Sequence, residues 1–195
     1  MGASSIEYLS PLFHEATPKD FYDALKIAKQ RLLFSAFVTL HEQFDYASCS
    51  KLYLLFDKTA GIAVERDGNI ISVFSYAHKG LLKYLLSKAR KSGGLKLDCF
   101  GSKNLIALYS LHGFIPICKT EFLNEFAPFD WNFERDGKPD IIFWVDGLKF
   151  KNLNVVYNED GCPVIPTIDT YEEAKAYRDD FIKNNSCKKK APTER

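Results

Sequence analysis

"NIISVFSYAHKGLLKYLLSKARKSGGLKLDCF", residues 69–100, holds three elements in a row. "NIISVF" follows the turn pair Asp67-Gly68 and is rich in β-branched and aromatic residues, so it predicts a strand. "GLLKYLLSKARKSGG" places leucines at helical spacing and stops at Gly93-Gly94, because glycine readily takes the left-handed conformation in which helices end. "LKLDCF" is strand-like again. A strand, a helix and a strand in so short a span predict a crossover unit with two parallel strands. The fold class is therefore mixed α/β.

Working outward, "KLYLLFD" and "AGIAVER" are further strands, separated from each other by Lys58-Thr59 and from "NIISVF" by Asp67-Gly68, a strong hairpin signal. Three antiparallel strands result. Upstream, Ile6 to Leu9 predicts a short first strand, and Thr17-Pro18-Lys19-Asp20 a helix start with Thr17 as cap and Pro18 at the first helical position. Phe21, Leu25, Ala28, Leu32 and Ala36 recur at spacings of three and four, which predicts one or two helices out to about Tyr46 with a core-facing stripe. Downstream, "NLIALYSLH" predicts a short helix closed by Gly113, "FIPICKTEF" a strand, and "IIFWV", after the turn "RDGKPD", its hairpin partner. The main domain is expected over residues 1–149. Residues 150–187 are expected to form an appendix with "LNVVY", a turn at Asn158-Glu159-Asp160-Gly161 and a helix from about Tyr171 capped by Asp169 or Thr170. The basic end, residues 188–195, is expected to be disordered.

Composition narrows the function classes. The chain has 195 residues, 46% of them hydrophobic and 14% aromatic, enough for a packed core. Its 26 basic and 25 acidic side chains leave a formal charge of +1, so no global field draws it to nucleic acid or an anionic membrane. Lys188-Lys189-Lys190 and "KARK" are two short patches on a balanced chain, which makes nucleic-acid binding a weak alternative. The five cysteines lie far apart, with no CxxC and no zinc-like spacing, as expected of free thiols in a reducing compartment. With no signal-peptide pattern and no membrane-length apolar run, a cytoplasmic protein is expected.

The element order resembles the GNAT superfamily of N-acetyltransferases over roughly residues 6–148. "IALYSLHGF" resembles the superfamily's second motif, a helix ending in Tyr, three residues, then Gly-Phe. The resemblance implies acetyl-CoA as cofactor, an amine acceptor, and Tyr109 as general acid for the departing thiolate. A phenol suits that task because it stays protonated at neutral pH yet can donate to a sulfur gaining charge. The alternative is a helix residue half buried on the sheet. Asn104, a further implied cofactor contact, stands five residues ahead of Tyr109 where the usual spacing is seven.

The superfamily's first motif grips pyrophosphate with backbone N–H groups at a helix start, in the form Gln or Arg, two residues, Gly, one residue, then a small residue. "AHKGLLKYLL" aligns with it, with Gly80 as the first glycine, Ala77 in place of Gln or Arg, and Leu82 in place of the small residue, where its bulk is expected to crowd the phosphates. The implied contacts are the backbone of Phe74, Ser75 and Tyr76 for the pantetheine arm and His78, Lys79, Gly80 and Leu81 for the phosphates. A solvated turn is the alternative for His78 and Lys79. Asp98, in an apolar strand beside the implied cleft, is the candidate base, since burial would raise its pKa, or else a structural carboxylate bonded to a nearby loop. Cys99 has no sequence-adjacent base to activate it and is taken as a small core residue.

"FLNEFAPFDWNFERDGKPDIIFW" is similar to a stretch of small GNAT-like proteins carried by phages and prophages. Pro128 and Pro139 stiffen this excursion, and Phe126, Phe129, Trp131 and Phe133 are expected to pack it, so that it covers an acceptor site or completes the core. Two functions stay open: an N-acyltransferase moving an acetyl or other acyl group from acyl-CoA to an amine or protein acceptor, and a GNAT-shaped binding protein that holds a protein partner without CoA.

Overall fold

The computed structural model describes residues 12–150 and 153–186. Helix α1, Pro18–Arg31, starts where Thr17 accepts the Asp20 N–H, and its stripe of Phe21, Ala24, Leu25 and Ala28 is buried. The helical signal that continues to Tyr46 is divided between a 3-10 turn, Ser35–Phe37, and α2, Gln43–Ser48, which opens with a Glu42–Asp45 capping box.

Four antiparallel strands follow one another across the first sheet: β1, Phe13–Glu15; β2, Lys51–Leu55; β3, Ala60–Val64; and β4, Ile70–Ser75. The expected strand at Ile6 to Leu9 lies outside the described residues, and β1 takes the edge beside β2. The turn before β4 forms as the sequence predicts, with the Gly68 N–H bonded to the Glu65 carbonyl and Gly68 at φ +84. One face of this sheet packs on α1 and α2 through Leu52, Leu54, Ala63 and Phe74. The other packs Ile62, Val64 and Ile70 on α3, Leu82–Lys91, through Leu85, Leu86 and Ala89.

β4 changes faces part-way. Its register on β3 passes from Ala63↔Ile71 to Gly61↔Phe74, so Ser72 and Val73 together oppose Ile62. The extra residue is a bulge, and Ser72 sits at φ +50. Consequently Ile70 and Val73 serve the α3 core, whereas Ile71 and Phe74 serve the α1 core.

The second sheet contains β5, Lys96–Phe100; β6, Phe114–Thr120; and β7, Ile141–Asp146. β6 and β7 form the expected antiparallel hairpin, but β7 also pairs with β5 and occupies the centre, in the order β5-β7-β6. Helix α4, Lys103–Leu111, links β5 to β6, and the short α5, Phe133–Asp136, lies in the excursion before β7.

The sheets meet at one parallel bridge, Asn69↔Lys96, reinforced by the Leu95 N–H on the Gly68 carbonyl at 2.9 Å. Beyond it β4 and β5 separate. This is the parallel pair with its crossing helix that the GNAT resemblance implies, in a mixed α/β fold. Helix α6, Tyr171–Ser186, opens where Thr170 Oγ1 accepts the Glu173 N–H at 3.2 Å and packs Ala174 against Cys118 of β6 and Phe143 of β7. Among the described residues no helix is long and apolar enough to cross a membrane.

Candidate active site

The fork between β4 and β5 has two unused edges. Among the described residues no strand pairs with β4 on the side away from β3 or with β5 on the side away from β7, apart from the single bridge. Of the three expected contacts on this edge, Ser75 turns its backbone N–H and C=O outward, where an extended ligand can pair with them; Phe74, opposite Gly61, and Tyr76, whose N–H is bonded to the Thr59 carbonyl at 3.1 Å, turn theirs toward β3.

After β4 the chain turns at Ser75, whose hydroxyl donates to the His78 carbonyl at 2.7 Å, and enters α3 without a side-chain cap. Leu81 is the flanking residue and Tyr84 the first whose N–H meets a helix carbonyl. Among the described residues no acceptor meets the amides of Gly80, Leu81, Leu82 and Lys83. A Cβ on Gly80 would meet nothing within 4 Å, so the approach is open. Free amides at a helix start, exposed Lys79 and nearby Lys83 fit a phosphate group.

Several expected contacts behave differently from the simple reading. Leu81 is buried, so its backbone alone remains available. Leu82 is half-buried against the α3 core, so its bulk is engaged in packing instead of standing over the loop. His78 Nε2 lies 2.8 Å from Asp57 Oδ2, which ties this imidazole to a carboxylate. Asn104 is exposed on the first turn of α4.

Asp98 belongs to β5 and turns its side chain toward α6, whereas Tyr109 of α4 packs in the core on the other face of the sheet, with Leu97 and Cys99. Tyr109, on α4, is 7% exposed, with ring contacts to Phe114 and Trp144. Among the described residues nothing hydrogen-bonds its hydroxyl. Burial pushes its phenol well above the ordinary value, and the nearby Cys99 and Asp98 add to this, so it is protonated at neutral pH. Asp98 accepts a hydrogen bond from the Tyr171 hydroxyl at 3.1 Å, and its other oxygen lies 3.6 Å from Arg178 Nη1. Burial raises its carboxyl above the usual range, with Arg178 and then the Tyr171 bond pulling the other way. The Cys99 thiol, pushed up by burial, packs against the core as expected.

The excursion of residues 121–140 closes on the 3-10 turn. Trp131 stacks on Phe37 at 4.9 Å and touches Phe100 at 4.5 Å and Phe122 at 5.0 Å, while Asp130 takes a 2.7 Å bond from the Ser35 hydroxyl. Of the four aromatic residues expected to pack this segment, only Trp131 is buried; Phe126 and Phe129 are exposed among the described residues, and Phe133, half-exposed, sets its ring edge-on to Phe122. A concavity of about 540 Å³, lined by Ser110, Phe114, Leu148 and Tyr157 among others, opens elsewhere, between the end of α4 and residues 153–157.

Among solved structures the chain is similar to a GNAT superfamily phosphinothricin acetyltransferase (Pat), from Sinorhizobium meliloti, in complex with AcCoA, with 16% identity, 79% of this chain and 98% of that chain covered, and a TM-score of 0.47. So faint a likeness assigns no residue. No family model and no curated protein matches the chain.

Residue patterns alone miss three parts of this site. Ser72, at the bulge, bonds the Tyr46 hydroxyl at 2.9 Å and donates to the Thr39 carbonyl at 3.0 Å, and nothing in "IISVF" signals an inserted residue. Arg178 and Tyr171 come from α6. For Arg178 a signal exists: it shares a helical stripe with Ala174 and Phe181, where an apolar residue would be expected.

Proposed function

We propose that the protein is an acyl-CoA-dependent N-acyltransferase. The observation that carries this reading is the β4–β5 fork with its unpaired edges, bordered by the uncapped start of α3. The amides from Gly80 to Lys83 would hold the pyrophosphate, with Lys79 as counter-charge, and the β4 edge at Ser75 would hold the pantetheine arm. Bound acyl-CoA supplies the thioester. Tyr109, a protonated phenol with no hydrogen-bond partner among the described residues, would give its proton to the thiol that leaves when the acyl group passes to the amine. Asp98 takes the proton that the new amide nitrogen loses, and its raised pKa makes it a stronger base than a solvated carboxylate. The acceptor is an amine.

Calorimetric titration of acetyl-CoA into the wild type and Gly80→Asp is the test. The added side chain meets nothing within 4 Å, but Gly80 sits at φ +75, which strains any side chain, so Gly80→Asn serves as the control that carries the strain without the charge. Micromolar binding by the wild type, weakened at least ~10-fold more by Gly80→Asp than by Gly80→Asn at low salt, supports the reading. No heat up to millimolar acetyl-CoA would favour a GNAT-shaped binding protein instead.

A further inference from the structure

Arg178 is fully buried, and the reaction just described does not use it. It reaches from α6 to the point where the two sheets part. Nη1 lies 3.4 Å from Asn69 Oδ1, at the parallel bridge, and 3.6 Å from Asp98 Oδ1, past the bridge on β5. Nε donates to Asp179 at 3.1 Å, and the guanidinium carbon stands 5.5 Å from the centre of the Phe143 ring on β7. Nη2 is buried without an acceptor among the described residues.

We propose that Arg178 is a positioning residue of the cleft, whose guanidinium spans the fork from Asn69 to Asp98, sets the separation of β4 and β5, and holds the Asp98 carboxylate ready for proton transfer. The last step rests on the acyltransferase reading; the clamp itself does not. Burying a cation is costly unless it is paired, and an apolar residue in this stripe would satisfy packing alone. A guanidinium instead reaches the side chains of both strands at once, because its donors are fixed in one plane. α6 thereby contributes to the site.

The titratable groups around Asp98 come from several elements. α6 brings Arg178, Lys175 and the Tyr171 hydroxyl, the residue after β3 brings Glu65, β5 itself the Cys99 thiol and α4 the Tyr109 phenol. Lys96, two residues away on β5, is committed to Asp67 at 2.8 Å and Asp179 at 2.9 Å. Arg178 and Tyr171 favour the ionised carboxylate, and burial opposes it. A base acts in its ionised form, so removing either partner moves the rise of activity to higher pH.

The experiment follows the Asp98 carboxyl by carbon-13 NMR across pH, assigned by its loss in Asp98→Asn, in the wild type, Arg178→Met, Arg178→Lys and Tyr171→Phe. The expected result is a titration midpoint raised by roughly 1 to 3 pH units in Arg178→Met. Tyr171→Phe should give a smaller rise, and Arg178→Lys, which keeps a cation but loses the planar reach to both Asn69 and Asp98, should raise the midpoint less than Arg178→Met and provides the answer if Arg178→Met does not fold. The acid limb of kcat/KM should move with the carboxyl. Unchanged midpoints in the Arg178 variants would overturn the clamp. A carboxyl that moves while the kcat/KM limb stays would reduce Arg178 to a structural ion pair and overturn the positioning role. Absence of any acetyl-CoA turnover in the wild type would sink the acyltransferase reading and with it the proton-transfer step, while the NMR result would still decide the clamp.

Discussion

Tyr109 and Tyr46 are both buried phenols, and their hydroxyls keep different company. The Tyr46 hydroxyl takes the His41 N–H at 3.2 Å and bonds Ser72 at 2.9 Å, whereas Tyr109 has no protein partner among the described residues. Phe substitution separates the two cases because it keeps the ring. Tyr46→Phe takes the acceptor from the His41 N–H and one of two hydrogen bonds from buried Ser72, and is expected to cost about 1–3 kcal/mol, read from urea unfolding. Tyr109→Phe is expected to leave the melting temperature in place while lowering acyl transfer by roughly 100-fold, in the range of general acid catalysis. An active Tyr109→Phe enzyme would remove Tyr109 from the chemistry, and an inactive but strongly destabilised one would make it a packing residue.

At its far end helix α3 is tied to two other elements by Arg90. Arg90 Nη2 donates to the His112 carbonyl at 2.7 Å, tying α3 to the end of α4, and lies 3.0 Å from Asp146 Oδ1 at the end of β7. Asp146 is fully buried. Arg90→Met would leave that carboxylate without its cation, for which about 3–5 kcal/mol of lost stability is expected in urea unfolding. Arg90→Met together with Asp146→Asn should recover part of the loss, since the buried charge is gone. If the single variant is as stable as the wild type, the pair contributes nothing and α3 is anchored by Leu85, Leu86 and Ala89 alone.

At the scale of the molecule, α6 covers the face of β6 and β7 that α3 and α4 leave open. Ala174, Cys118 and Phe143 are all fully buried, and Phe150 packs on Phe181 with ring centres 5.9 Å apart. A chain ending at Lys149 would expose that face and deprive Lys96 of Asp179 and Asp98 of Arg178. It is expected to lose the dispersed amide spectrum of a folded domain and to aggregate. A well-dispersed nitrogen-15 spectrum from the shortened chain would instead make residues 150–186 a separable appendix, as their position in the sequence suggests.

Local physics was legible in the sequence. Thr17 and Pro18 start α1, Asp67-Gly68 makes the β3–β4 turn, and Gly93-Gly94 ends α3, because capping oxygens, a fixed proline φ and glycine at positive φ act within a few residues of themselves. The strand-helix-strand unit and the α4 motif around Tyr109 were readable for the same reason. What depends on distant chain was not. The bulge at Ser72 reverses which face Phe74 serves, and the register on β3 decides that, not the pattern of "IISVF". β7 enters between β5 and β6 because antiparallel partners on both sides satisfy its backbone, a choice invisible in "IIFWV". The ionisation of Asp98 depends on a guanidinium 80 positions further along the chain. Only packing brings that charge to β5, since electrostatic interaction follows distance in space and not in sequence.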